Sequence, residues 1–143
     1  MTKKDLLLIA LAAGEKSEYT PVQIQKLMFL IEKNVGNRID APHFEFKPYD
    51  YGPFDSSIYE LLRELESDEL ASASMTYRGW KKHSLTDAGI VMAAELSKSI
   101  DATVISYIKE VSKFVRTLSF VDLVSSIYKA YPEMKVNSVF KDS

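Results

Sequence analysis

Two histidines, no cysteine and twenty acidic residues define the chemistry open to this chain of 143 residues. His43-Phe44-Glu45 would put a histidine and a carboxylate on one face of a strand, a spacing compatible with zinc ligation. The other histidine is His83, so a metal would need carboxylates from distant loops, and no metal site is expected. Without cysteine there is no disulfide, thiolate nucleophile or iron-sulfur cluster. Five glycines, scattered singly, form no phosphate-cradling loop, and no serine stands in a G-x-S-x-G turn. Asp40, Asp50 and Asp55 are near enough in sequence to form an acid/base pair, but two turn residues and a helix cap explain them more simply. The expectation is a non-catalytic protein with no cofactor.

Recognition chemistry is better represented. Lys47-Pro48-Tyr49-Asp50-Tyr51-Gly52-Pro53-Phe54 combines three aromatics with two prolines and is conformationally restricted. Two readings of it stand side by side: a preformed binding surface, or aromatics that close the core between two helices. The next segment, Asp55 to Glu69, sets six acidic residues against a single Arg63. Read as a binding face, these stretches nominate Tyr49, Tyr51, Pro53, Phe54, Tyr59, Glu60 and Glu64 as partner-binding residues. A second cluster, Arg78, Trp80, Lys81 and Lys82, with Gly79 and His83, is basic and aromatic. It is read either as a solvated hairpin anchored by Trp80 or as a nucleic-acid contact.

The elements that must position these residues follow from periodicity and capping. A helix is expected from about Lys3 to Ala13, with Gly14 as its left-handed cap. A second opens at Thr20-Pro21-Val22-Gln23, a capping box with proline in the first turn, and buries Ile24, Leu27, Met28 and Ile31. Asn37 to Phe54 loses periodicity and reads as an ordered loop with a short extended piece at His43 to Phe46. A third helix runs from about Asp55 to near Ser67 on Ile58, Leu61, Leu62 and Leu65. Leu70 to Tyr77 and Trp80 to Leu85 flank Arg78-Gly79 as a β-hairpin. Thr86 caps a fourth helix through Leu96, Asp101 a fifth, and Ser119 a sixth that Pro132 stops.

This order predicts a mainly α fold with a small β-hairpin (α+β), a winged-helix-like part over about residues 1–98 and a C-terminal helical extension over about residues 99–143. The whole reads as a single domain of residues 1–143 in which the later helices pack on the earlier ones. The segment Lys135 to Phe140 either packs on the domain, adds a strand or binds something. In a winged helix the helix before the hairpin enters the DNA groove, and here that helix is acidic, which opposes phosphate binding. A net charge of −2 and a pI near 5.7 also lean towards a protein partner. The longest apolar run, Leu6 to Ala13, is too short to span a membrane, so a cytoplasmic protein of bacterial type is expected.

Pro21 to Leu30 (PVQIQKLMFL), followed by Tyr51-Gly52-Pro53-Phe54 and Ile58-Tyr59, resembles the Panacea (SocA-like) antitoxin domain, with its L-Q-K-L-L-Y-F-like helix and G-P-V turn. Tyr-Asp-Tyr-Gly-Pro-Phe is also similar to YwgA-like bacterial proteins, and Leu85 to Gly89 adds a weaker echo. Ile24 stands where that pattern has leucine, and Phe54 where it has valine. The resemblance implies a bacterial or phage domain that neutralises a toxin by direct contact or delivers it to proteolysis. Two functions are therefore expected in order: an antitoxin-like or adaptor-like module binding a toxin or defence-system protein, and a winged-helix transcriptional regulator binding DNA, as a homodimer through the C-terminal helices.

Overall fold

The computed structural model describes residues 1–140; the last three residues of the expected domain, 141–143, lie outside the described residues. Six α-helices and two antiparallel strand pairs give an α+β fold: α1 (Lys3–Ala12), α2 (Pro21–Val35), β1 (Lys47–Tyr49), β2 (Gly52–Phe54), α3 (Ser57–Ser67), β3 (Ala71–Met75), β4 (Lys81–Leu85), α4 (Asp87–Ser97), α5 (Ala102–Thr117) and α6 (Phe120–Ala130). Single 3₁₀ turns follow α2 at Gly36–Arg38 and α6 at Pro132–Lys135.

Local hydrogen bonds set most helix starts. Thr20 Oγ1 accepts from Gln23 N, and Gln23 Oε1 accepts from Thr20 N at 2.8 Å, the reciprocal bonds of a capping box. Thr86, Asp101 and Ser119 each accept a first-turn N–H in the same way. Thr2 and Asp5 form a further box that starts α1.

The end of α1 differs from expectation. The left-handed residue there is Glu15, at φ 57°, not Gly14. Gly14 is needed for proximity instead, because a Cβ on it would lie 2.5 Å from Tyr19 Oη. Tyr19 is fully buried and its hydroxyl shares a 2.5 Å hydrogen bond with Ser112 Oγ of α5, so this small residue lets the chain close over a ring that ties the N-terminal part to α5.

Every residue from Leu6 to Leu11 is buried, so α1 is the central helix rather than one face of a bundle. It packs against α2, α3, α4, α5 and β4. Among the described residues, no helix is long and apolar enough to cross a membrane. Val104, Ile108 and Val115 of α5 and Leu123, Val124 and Ile127 of α6 belong to the same core as α1 and α2. The C-terminal helices therefore share one core with the earlier ones.

Gly89 is buried where α4 meets the turn between α3 and β3. A Cβ there would come within 2.1 Å of the Leu70 carbonyl oxygen, so only glycine permits this approach.

Candidate functional site

The largest departure from the expected elements is at the aromatic segment. Lys47 to Phe54 is a second hairpin, with Lys47 opposite Phe54, Pro48 opposite Pro53 and Tyr49 opposite Gly52. The short extended piece expected at His43 to Phe46 is not a strand. Two prolines facing each other cannot donate to a ladder, which is why no strand signal was visible in this sequence. Other parts of the molecule hold the hairpin.

Gln25 of α2 bridges to the base of the hairpin: its Nε2 donates to Asp55 O at 3.1 Å, and its Oε1 accepts from Asp55 N at 2.9 Å. The Asp55 carboxylate accepts from Glu45 N, Ser57 N and Ser57 Oγ, joining the incoming chain to the first turn of α3. Burial alone would raise its pKa, but these hydrogen bonds and the nearby Lys3 ammonium outweigh it and hold the carboxyl below its ordinary value. Asp55 is thus a structural anchor, the helix cap expected for it in another form. At the turn, Asp50 O accepts from Val139 N at 3.0 Å and from Ser138 Oγ at 3.2 Å, and Lys26 Nζ donates to Tyr51 O. The segment Lys135 to Phe140 therefore packs on the domain.

Tyr49 and Tyr51 remain 54% and 42% exposed. Tyr49 stacks on Phe54 with ring centroids 4.9 Å apart, and Phe54 meets Tyr59 at 5.7 Å. Tyr51 meets Phe120 edge-on at 5.2 Å, and Phe120 reaches Phe140 at 6.1 Å. Pro53 is buried and lines a cleft of about 180 Å³ beneath the hairpin, together with Val22, Lys26 and Tyr59. The core-closing reading, made for Tyr51 and Phe54, fails at Tyr51, which faces solvent, and holds only in part at the half-buried Phe54; Pro53, nominated as a partner-binding residue, is buried. Glu60 and Glu64 are exposed one turn apart on α3, and neither forms an ion pair among the described residues. Asp68 pairs with Lys4 at 3.1 Å, and Glu66 Oε1 lies 4.0 Å from the buried His83 Nδ1.

Lys26 is the functional candidate that sequence reasoning missed. It is only 2% exposed, and burial pulls its ammonium down to a pKa of about 8. A signal for it existed: Ile24, Leu27, Met28, Phe29, Leu30 and Ile31 wrap more than one face of α2, so polar residues between them had to be enclosed.

The β3–β4 hairpin pairs Ala71 with Leu85 through Met75 with Lys81, and its turn is longer than the two residues expected, closing with Thr76 N donating to Trp80 O. Trp80 is 47% exposed and Tyr77 93%, so Trp80 is not a core anchor. The Arg78 guanidinium lies 5.6 Å from the Tyr77 ring centroid and 5.9 Å from that of Trp80. Lys81 is exposed and Lys82 half-buried. His83 leaves this cluster altogether: it is buried, its backbone pairs with Tyr19, and burial with help from Lys81 lowers its pKa despite Glu66. His43 is exposed and bonds through Nδ1 to Glu32 Oε2 at 2.7 Å, not to Glu45.

The chain matches no family model and no curated protein.

Proposed function

We propose that this protein is a non-catalytic protein-binding module, antitoxin-like or adaptor-like, that works in the cytoplasm by direct contact with a basic partner such as a toxin or defence-system component. The observation that carries the proposal is the pair of exposed tyrosines, Tyr49 and Tyr51, on a hairpin pinned at its base by Gln25 and at its turn by Lys26 and Val139. Rigid aromatics lose little conformational entropy on binding, so they are effective anchors. Glu60 and Glu64 add an acidic surface on α3 that steers a basic partner and sets the salt dependence of encounter.

In this reading the chain is winged-helix-like, with α3 before the wing β3–β4 and its acidic face turned to protein rather than phosphate. A second reading, a DNA-binding regulator acting as a homodimer through the C-terminal helices, draws on Arg78 held against Tyr77 and Trp80 beside Lys81 and Lys82.

Purification of the tagged protein from its native cells at low salt, with mass spectrometry and nucleic-acid staining, separates the two. A stoichiometric basic protein lost on Glu60→Lys and Glu64→Lys supports the first. Co-purifying DNA lost on mutating Lys81 and Lys82 supports the second. If charge reversal leaves partner binding and its salt dependence unchanged, the role given to α3 is wrong.

A further inference from the structure

The cleft under the β1–β2 hairpin contains an unbalanced charge. Its walls are largely apolar, from Val22, Pro53, Phe54 and Tyr59, and Lys26 is built into its side. The Lys26 ammonium has three N–H donors, and the acceptor it reaches is the Tyr51 carbonyl. No carboxylate lies within ion-pairing distance of it among the described residues. The ionisable groups around the cleft are Tyr49, Asp50, Tyr51 and Tyr59, with Tyr128 behind Gly52. Asp55, across Gln25, is occupied by its own three donors. Gly52, at φ 107°, packs directly against the ammonium: a Cβ there would lie 3.3 Å from Lys26 Nζ.

A buried cation without a counter-charge is costly, and an anion brought to it recovers that cost in a low-dielectric setting. The volume of about 180 Å³ is below the roughly 300–1,000 Å³ of sites for drug-sized ligands, and suits a single residue. A polypeptide C-terminus supplies both needs on one carbon: a carboxylate, and beside it an apolar side chain. An aspartate or glutamate side chain offers the charge without comparable apolar bulk.

We propose that this cleft captures the C-terminal carboxylate of a partner polypeptide whose last residue is apolar, with Lys26 as the counter-charge and Val22, Pro53 and Tyr59 around the terminal side chain. The choice of a polypeptide rests on the protein-binding reading above; the cleft chemistry does not.

The test titrates the full chain with tetrapeptides ending in Phe, Leu or Val, each as free acid and as C-terminal amide, followed by amide NMR shifts at about neutral pH. Free acids are expected to move Lys26, Tyr51 and Gly52, and amidation to weaken binding about tenfold or more. Lys26→Gln, which keeps a donor for Tyr51 O, removes the preference for acid over amide. Val22→Glu, on the half-buried first turn of α2, weakens the free acids by repulsion while leaving Lys26 untouched. Equal response to acid and amide, or no response to either at millimolar concentration, overturns the site. Binding of 3-phenylpropionate as tight as that of the peptides overturns the polypeptide assignment. Charge reversal at Glu60 and Glu64 is not expected to alter peptide binding, so failure of this site and failure of the α3 interface are separately visible.

Discussion

Replacing Lys26 by methionine tests whether a cation is truly held out of water beneath the hairpin. Lysine ordinarily titrates at 10.5, and burial lowers Lys26 to about 8. Below the native pKa both folded and unfolded chains hold the proton, and stability does not change with pH on this account. Between the two values the unfolded chain binds the proton and the native chain does not, so raising the pH favours the native state. Integrating that difference from about pH 7 to about pH 9.5 gives the wild type a gain of about 2 kcal/mol relative to Lys26→Met. The variant also leaves the Tyr51 carbonyl without its lysine donor, a cost of about 1 kcal/mol that does not vary with pH. Stopping near pH 9.5 avoids Tyr19, Tyr59 and Tyr107, whose pKa values burial raises and whose effect has the opposite sign. The assay is urea unfolding of both proteins across this range. A difference between them that stays flat with pH would refute the buried-cation argument.

Gly89→Ala should destabilise by about 2 kcal/mol or more, because the added methyl meets the Leu70 carbonyl. In an open helix the same change stabilises by about 1 kcal/mol, so the sign of the shift in melting temperature decides. Gln25→Leu orphans the buried Asp55 N–H, while the Asp55 carbonyl keeps its bond from Ile58 N, and should cost about 2 kcal/mol, with faster amide exchange at Asp55 than in α3. Tyr77→Ala, at a residue almost fully exposed, should leave stability within about 0.5 kcal/mol, and a larger loss in denaturant unfolding would mean that the tip of the β3–β4 hairpin packs on something. Under the protein-binding reading, Tyr51→Ala should weaken partner capture more than it changes the melting temperature, and equal losses in both would assign Tyr51 to the core.

The parts of the fold legible in the sequence are those that rest on short-range bonds. Thr20 with Gln23, and Thr86, Asp101 and Ser119, announce helix starts because a cap reaches only two or three residues along the chain. Gly79, at φ 91°, marks the β3–β4 turn for the same local reason. The site depends on contacts between residues far apart in sequence. Pro48 and Pro53 cannot donate to a ladder, so the first hairpin exists because Gln25 holds Asp55 and Val139 holds Asp50. His83 looks like a member of a basic surface run until pairing with Tyr19 turns it inward. Lys26 was placed by the same logic: α2 is enclosed on more than one side, and only the packing of the hairpin over it decides that a lysine, ordinarily a surface residue, stands buried at the wall of a cleft.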